Sequence, residues 1–140
     1  MKLLITSDIH SNIDFLKEVC EKYKDYTKIN LGDRGNALDI LKKYNFICVD
    51  GNCDDSIYGL QKIIVCDNFK ILLTHGHYYN VKNSILNLFY TSCEEKVDYV
   101  FFGHTHIQTL FKENNITFLN PGAIKDRHYA IIVDNDIKLF

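Results

Sequence analysis

Five of the six histidines in this 140-residue chain stand where an apolar run gives out, each close to a carboxylate, an amide or another histidine. After Leu3–Thr6 come Asp8 and His10, and after Ile29–Leu31 come Gly32-Asp33. Phe46–Val49 leads to Gly51-Asn52-Cys53-Asp54, Ile71–Leu73 to Thr74-His75-Gly76-His77, and Val97–Phe102 to Gly103-His104-Thr105-His106. Imidazole and carboxylate bind divalent transition metals, and an amide oxygen favours harder ions such as manganese or iron over copper(I). So many ligands are too many for one structural zinc but suit two five- or six-coordinate ions, provided one carboxylate bridges them. Two such ions about 3.5–4 Å apart can hold a hydroxide and clamp the oxygens of an in-line phosphoryl displacement. Any one fragment alone reads as a turn, since Gly-Asp and Gly-Asn serve turn geometry. The recurrence at five strand ends is what points to chemistry.

The elements that position these residues follow from periodicity. Lys2–Ser7, Thr27–Leu31 and Phe46–Val49 read as strands. Between them lie a helix over Ile13–Tyr23, capped by Asn12, and another through Tyr44, capped by Asn36. Strand, helix, strand, helix, strand implies a parallel sheet with right-handed crossovers. In such a sheet ligands bind at the carboxyl ends of the strands, which brings Asp8, His10, Asp33, Asn52, His75, His77, His104 and His106 to one place. The second half reads as hairpins: Gln61–Cys66 with Phe69–Thr74 about Asp67-Asn68, Ile107–Lys112 with Ile116–Leu119 about Glu-Asn-Asn, and Ala130–Val133 with Ile137–Phe140 about Asp134-Asn135-Asp136. A helix over Lys82–Tyr90 and a strand over Val97–Phe102 complete it. The expected fold is one α/β domain spanning residues 1–140.

Composition narrows the class. With 46% hydrophobic and 24% charged residues the chain is an ordinary globular one, and its net charge of −2 is carried without a basic cluster. No dedicated nucleic-acid surface is therefore expected. No apolar run approaches the roughly 20 residues that span a bilayer, and no membrane association is expected. The odd number of cysteines, with no CxxC pair, implies a reducing, cytoplasmic setting. Cys20, Cys48, Cys66 and Cys93 read as buried small hydrophobes, and Cys53 stands apart because of its neighbours.

The ordered set Asp8-Ile9-His10, Gly32-Asp33, Gly51-Asn52-Cys53-Asp54, Thr74-His75-Gly76-His77 and Gly103-His104-Thr105-His106 resembles the calcineurin-like metallophosphoesterase superfamily. With Asn120-Pro121-Gly122-Ala123 it is most similar to the YfcE-type branch of small phosphodiesterases. The resemblance implies a four-layer α/β/β/α sandwich of mixed sheets. It implies one divalent ion held by Asp8, His10, Asp33 and His106, and a second by Asp33, Asn52, His75 and His104, with Asp33 the bridge. Manganese is the leading cofactor, with nickel, iron, zinc and magnesium as alternatives. The implied reaction is hydrolysis of a small phosphodiester by a metal-bridging hydroxide that attacks phosphorus. Asp33, Asn52, His75 and His77 are the candidate catalytic residues, His77 being a substrate contact, a hydrogen-bond partner or a plain turn residue.

Three departures accompany the resemblance. Cys53 stands where many superfamily members have a histidine that assists the leaving group, Ala123 replaces a serine, and the chain is shorter than is usual for the branch. Arg127 follows the Asn-Pro-Gly element at the spacing of a family arginine and is either a phosphate contact or a solvated loop residue. His128, which starts a strand, reads as structural. Two other functions fit the same fold: a non-catalytic interaction scaffold that keeps only part of the metal site, and a phosphomonoesterase or nuclease of the superfamily. Oligomeric state is not readable from the residues.

Overall fold

Ten strands and three helices, described over all 140 residues by a computed structural model, form two mixed sheets with helices on their outer faces. The first sheet has the order β10-β9-β1-β2-β3. Its β1 (Lys2–Thr6), β2 (Thr27–Asn30) and β3 (Ile47–Cys48) run parallel. The antiparallel hairpin of β9 (Ala130–Val133) and β10 (Asp136–Leu139) is added on the β1 side. The second sheet has the order β4-β5-β6-β8-β7. There β5 (Phe69–Thr74), β6 (Tyr99–Phe101) and β8 (Ile116–Asn120) are parallel, with β4 (Gln61–Cys66) and β7 (Thr109–Glu113) as antiparallel edges.

The period of two explains the layers. Leu3 and Ile5 on β1, Ile71 and Leu73 on β5, and Tyr99 and Phe101 on β6 point into one core between the sheets. The alternate residue Leu4 faces a second core beneath α1 (Ile13–Lys22) and α2 (Leu38–Lys43). Leu72, Val100 and Phe118 face a third core beneath α3 (Leu86–Glu95). Strands buried on both faces must be apolar at consecutive positions, as Leu3-Leu4-Ile5 and Ile71-Leu72-Leu73 are. The outcome is the expected α/β/β/α sandwich.

Local chemistry sets the element ends. The Asn12 side chain accepts from the Phe15 N–H at 3.4 Å and caps α1, whose face of Phe15, Leu16, Val19 and Cys20 is buried. The three hairpin turns carry positive φ at both central residues: Asp67-Asn68, Asn114-Asn115 and Asp134-Asn135. Tight two-residue hairpins demand this geometry, and Asn and Asp tolerate it. Glu113 and Asp136, expected in turns, belong to the flanking strands.

Other boundaries differ from expectation. Helix α3 starts at Leu86 rather than at residue 82, because the Ser84 hydroxyl accepts from the Leu86 N–H at 3.1 Å and Asn80 takes a left-handed conformation. Helix α2 begins after Ala37 with no side-chain cap, so Asn36 does not serve as one. Cys20 and Cys48 are buried as expected, but Cys66 and Cys93 are half-buried, Cys66 ending an edge strand. No helix is long and apolar enough to cross a membrane.

Candidate metal centre

The loops that leave β1, β2, β3, β5 and β6 meet at one edge of the sandwich, and the expected donors meet with them. His106 Nε2 lies 3.1 Å from Asp8 Oδ1 and 3.4 Å from His10 Nε2. His75 Nε2 lies 3.1 Å from Asn52 Oδ1, 3.2 Å from His104 Nδ1 and 3.3 Å from Asp33 Oδ2. Two groups of metal-competent side chains result: Asp8, His10 and His106, and Asp33, His75 and His104. Asp33 Oδ2 is also 3.9 Å from His10 Nε2, so its carboxylate touches both groups. His77 stands beside the second, its ring centroid 5.5 Å from that of His75.

Backbone strain accompanies this convergence. Asp8, His10, Asp33, His104 and His106 all have positive φ, between 52° and 70°. A left-handed conformation costs roughly 1 kcal/mol or more for a residue with a Cβ. Five such residues within one cluster mark a place where side-chain direction outweighs backbone comfort. The glycines clear space: a Cβ on Gly51 would sit 2.2 Å from Asp33 Oδ1, and one on Gly103 would sit 2.0 Å from Ser7 Oγ and 2.8 Å from Asp8 Oδ2.

The donor atoms have the chemistry that a cation requires. The backbone carbonyl of Leu31 can only accept, so His75 Nδ1, 2.7 Å away, carries a proton. In the neutral ring this leaves the Nε2 lone pair facing the other donors, the usual second-ring-nitrogen arrangement of metal-binding histidines. Asp8 Oδ2 accepts from the Ser7 hydroxyl at 2.6 Å and from the His104 N–H at 3.1 Å, while Asp8 Oδ1 is buried with no hydrogen-bond partner. An orphaned carboxylate oxygen is costly unless something positive meets it. Asp8, Asp33 and His75 are buried, whereas His10 and His106 remain about one-third open to solvent.

Protonation follows from the crowding. Burial opposes charge on Asp33, but its hydrogen bond to His75, that ring's charge and the Cys53 N–H together hold the carboxyl well below the usual range. Burial likewise works against the His75 cation, yet Asp33 and the charge of Asp8 raise its pKa. His104 is pushed down to about 4 by burial first, then by the positive fields of His75 and Lys82. Burial, with His75, also lowers His77, whose Nδ1 is buried and unpartnered. Burial and the negative charge of Asp33 raise the Cys53 thiol.

Residues outside the expected set hold the centre in place. Asp54 accepts from the backbone N–H groups of Asp33, Arg34 and Gly51 and so ties the loop after β3 to the loop after β2. Asp50 binds Arg34 Nη1 at 2.8 Å and accepts the N–H groups of Ile57, Tyr58 and Gly59. Asn120 donates to the Gly103 carbonyl and the Thr105 hydroxyl, which secures the loop of His104 and His106. Asp54 and Asn120 lie in the quoted sequence elements, but the Arg34–Asp50 pair carries no local signal. Arg127 is engaged elsewhere, its guanidinium 4.3 Å from the centroid of the Phe15 ring and 3.9 Å from Glu18. His128 Nδ1 bonds the Phe140 carbonyl, as a structural residue would.

The chain is similar to known phosphoesterases in sequence and in fold. The calcineurin-like phosphoesterase superfamily domain matches residues 1–134. Over 97% of this chain and 86% of the relative, the sequence is 30% identical to the probable metallophosphoesterase YsnB of Bacillus subtilis. It is 26% identical to the phosphodiesterase YfcE of Escherichia coli K12, over 89% of this chain and 79% of that one. A Streptococcus pneumoniae protein described as a predicted phosphoesterase superposes with a TM-score of 0.84 at 26% identity, covering 99% of this chain and 86% of the other. Entamoeba histolytica Vps29, crystallised with zinc, shares the fold with a TM-score of 0.75 at 23% identity, covering 100% and 97%.

Proposed function

Because the chain belongs to the calcineurin-like phosphoesterase superfamily, we propose that it is a dinuclear metal-dependent phosphodiesterase that hydrolyses a small phosphodiester. Asp8, His10, Asp33 and His106 would hold one divalent cation, and Asp33, Asn52, His75 and His104 the other. The observation that carries this reading is the Asp33 carboxylate, whose Oδ2 is 3.3 Å from His75 of one donor group and 3.9 Å from His10 of the other. Manganese is the leading ion, because the Asn52 amide oxygen and two carboxylates form a hard donor set. When bound, such cations acidify water and offset the negative charge that develops on phosphoryl oxygens.

The chain's own residues orient that chemistry. Ser7 and the His104 N–H fix the Asp8 carboxylate by its Oδ2, and the Cys53 N–H fixes Asp33 at 3.0 Å. His104, with its pKa pushed down to about 4, is neutral at physiological pH and offers a lone pair. His77, also neutral, would contact the substrate from beside His75. The raised Cys53 thiol is a poor proton donor, so leaving groups that need acid assistance are handicapped. This favours activated or otherwise reactive diesters.

The retention of all seven expected donors argues against a scaffold that has shed its metals. With no basic cluster, a small substrate is favoured over a nucleic acid. Five free thiols support a cytoplasmic location, and we take residues 1–140 as one domain. Purified protein loaded with manganese or nickel should cleave bis(p-nitrophenyl) phosphate, and chelator, Asp33→Ala or His75→Ala should abolish turnover. If loaded wild type matches Asp33→Ala across a panel of diesters and monoesters, the proposal fails.

A further inference from the structure

Beside the metal donors the surface opens into a cavity of about 170 Å³, lined by Arg34, Gly35, Leu38, Cys53, Asp54, Asp55 and Ile57. Two of these walls are shared with the donor cluster. The Cys53 N–H bonds Asp33 Oδ1 at 3.0 Å, and Gly35 packs so tightly on His10 that a Cβ there would lie 1.7 Å from the His10 carbonyl oxygen. The wall of the cavity thus touches a residue of each donor group, Asp33 of one and His10 of the other. We infer that the cavity is the subsite for one alcohol arm of the substrate, and that this arm is a short, uncharged polyol of about the size of glycerol. The inference rests on the phosphodiesterase reading and narrows its substrate class.

Charge decides against an anionic arm. Arg34 would look like an anion binder, but both of its terminal nitrogens already have partners in the protein. Nη1 meets Asp50 at 2.8 Å and Asp54 at 3.4 Å, and Nη2 donates to the Asp55 carbonyl at 2.8 Å. The Asp54 carboxylate is occupied by the three backbone N–H groups named above. Asp55 differs: it is exposed, and its carboxylate has no hydrogen-bond partner in the protein. A free carboxylate accepts from hydroxyl groups and repels a second anion. Leu38 and Ile57 supply an apolar wall for a carbon chain, Ile57 being 51% exposed at the rim. The volume suits a short arm, since it is below the roughly 300 Å³ at which pockets for drug-sized ligands begin.

Two readouts test this. In zinc-loaded protein, glycerol 3-phosphate should move the NMR signals of the Leu38 and Ile57 methyl groups and the Asp55 amide, whereas methyl phosphate should not. Ile57→Trp, which fills the rim at an exposed position, should remove that difference. In turnover, p-nitrophenyl glyceryl phosphate should be preferred over p-nitrophenyl methyl phosphate by about tenfold in kcat/KM, the worth of a hydrogen bond to a charged group. Asp55→Ala and Ile57→Trp should bring the ratio towards one. Equal NMR shifts from both phosphates, or a ratio unchanged in both variants, would overturn the subsite. If no diester is turned over, the phosphodiesterase reading falls, and the NMR titration still decides the subsite by the presence or absence of the Leu38 and Ile57 shifts.

Discussion

Replacing Asp50 by alanine should destabilise the protein far more than an ordinary surface change. Asp50 is 3% exposed and faces nothing but donors: Arg34 Nη1 at 2.8 Å and the N–H groups of Ile57, Tyr58 and Gly59 at 3.0, 2.9 and 2.8 Å. Breaking one side of a buried ion pair costs about 3–5 kcal/mol because the other charge stays buried. Arg34 keeps Asp54 at 3.4 Å and the Asp55 carbonyl, which places the expected loss at the lower end, about 3 kcal/mol. That is a large share of a typical total of about 5–15 kcal/mol. Asparagine should do little better, because its amide NH₂ would face further donors. Urea unfolding followed by circular dichroism measures the difference.

The pH dependence adds a second arm. Burial opposes the Asp50 charge, but Arg34 and the three N–H groups outweigh it and hold its pKa below the ordinary value. A carboxyl depressed on folding contributes stability above its unfolded pKa, near pH 4, and loses it as pH falls through the folded value. The gap between wild type and Asp50→Ala should therefore be full at pH 7 and should narrow below about pH 4. Adding Arg34→Met to Asp50→Ala should recover about 1 kcal/mol, since it removes the stranded guanidinium while Asp54, its other partner, keeps three backbone N–H donors. A loss under about 1 kcal/mol for Asp50→Ala, or a double variant weaker than the single, would refute the reasoning.

Other expectations follow from the same structure. Gly103→Ala places a methyl group 2.0 Å from Ser7 Oγ and 2.8 Å from Asp8 Oδ2; calorimetric titration should show at least about tenfold weaker manganese binding. Saturation with manganese at about a hundred times its dissociation constant should stabilise the fold by about 2.7 kcal/mol for each occupied site, and chelator should reverse the resulting rise in Tm. Cys53→His should speed hydrolysis of alkyl-leaving diesters more than aryl ones, because a histidine at that position can protonate the poorer leaving group. Equal acceleration of both, in steady-state assays, would remove acid assistance as the reason.

Much of the site was legible because parallel strands deliver their following residues to one edge. Asp8, Asp33, Asn52, His75 and His104 could be gathered from strand ends without knowledge of how the two sheets pack. The hairpin turns were equally readable, since Asp67-Asn68 and Asn114-Asn115 advertise positive φ. The start of α3 was not, because the apolar residues before Leu86 mimic a helical face while Ser84 and left-handed Asn80 end the preceding turn locally. The Arg34–Asp50 pair was also hidden, because it joins residues sixteen positions apart whose partnership exists only after folding. Arg127 shows the converse, a motif-spaced residue that packing on Phe15 takes away from the site.

Paired cation binding through Asp33 is tested most directly by metal content. Wild-type protein reconstituted with manganese, desalted and measured by elemental analysis, should hold two equivalents per chain, and Asp33→Ala should lose binding at both positions. Fewer than one equivalent in the wild type after reconstitution would contradict a dinuclear centre built on Asp8, His10, Asp33, Asn52, His75, His104 and His106.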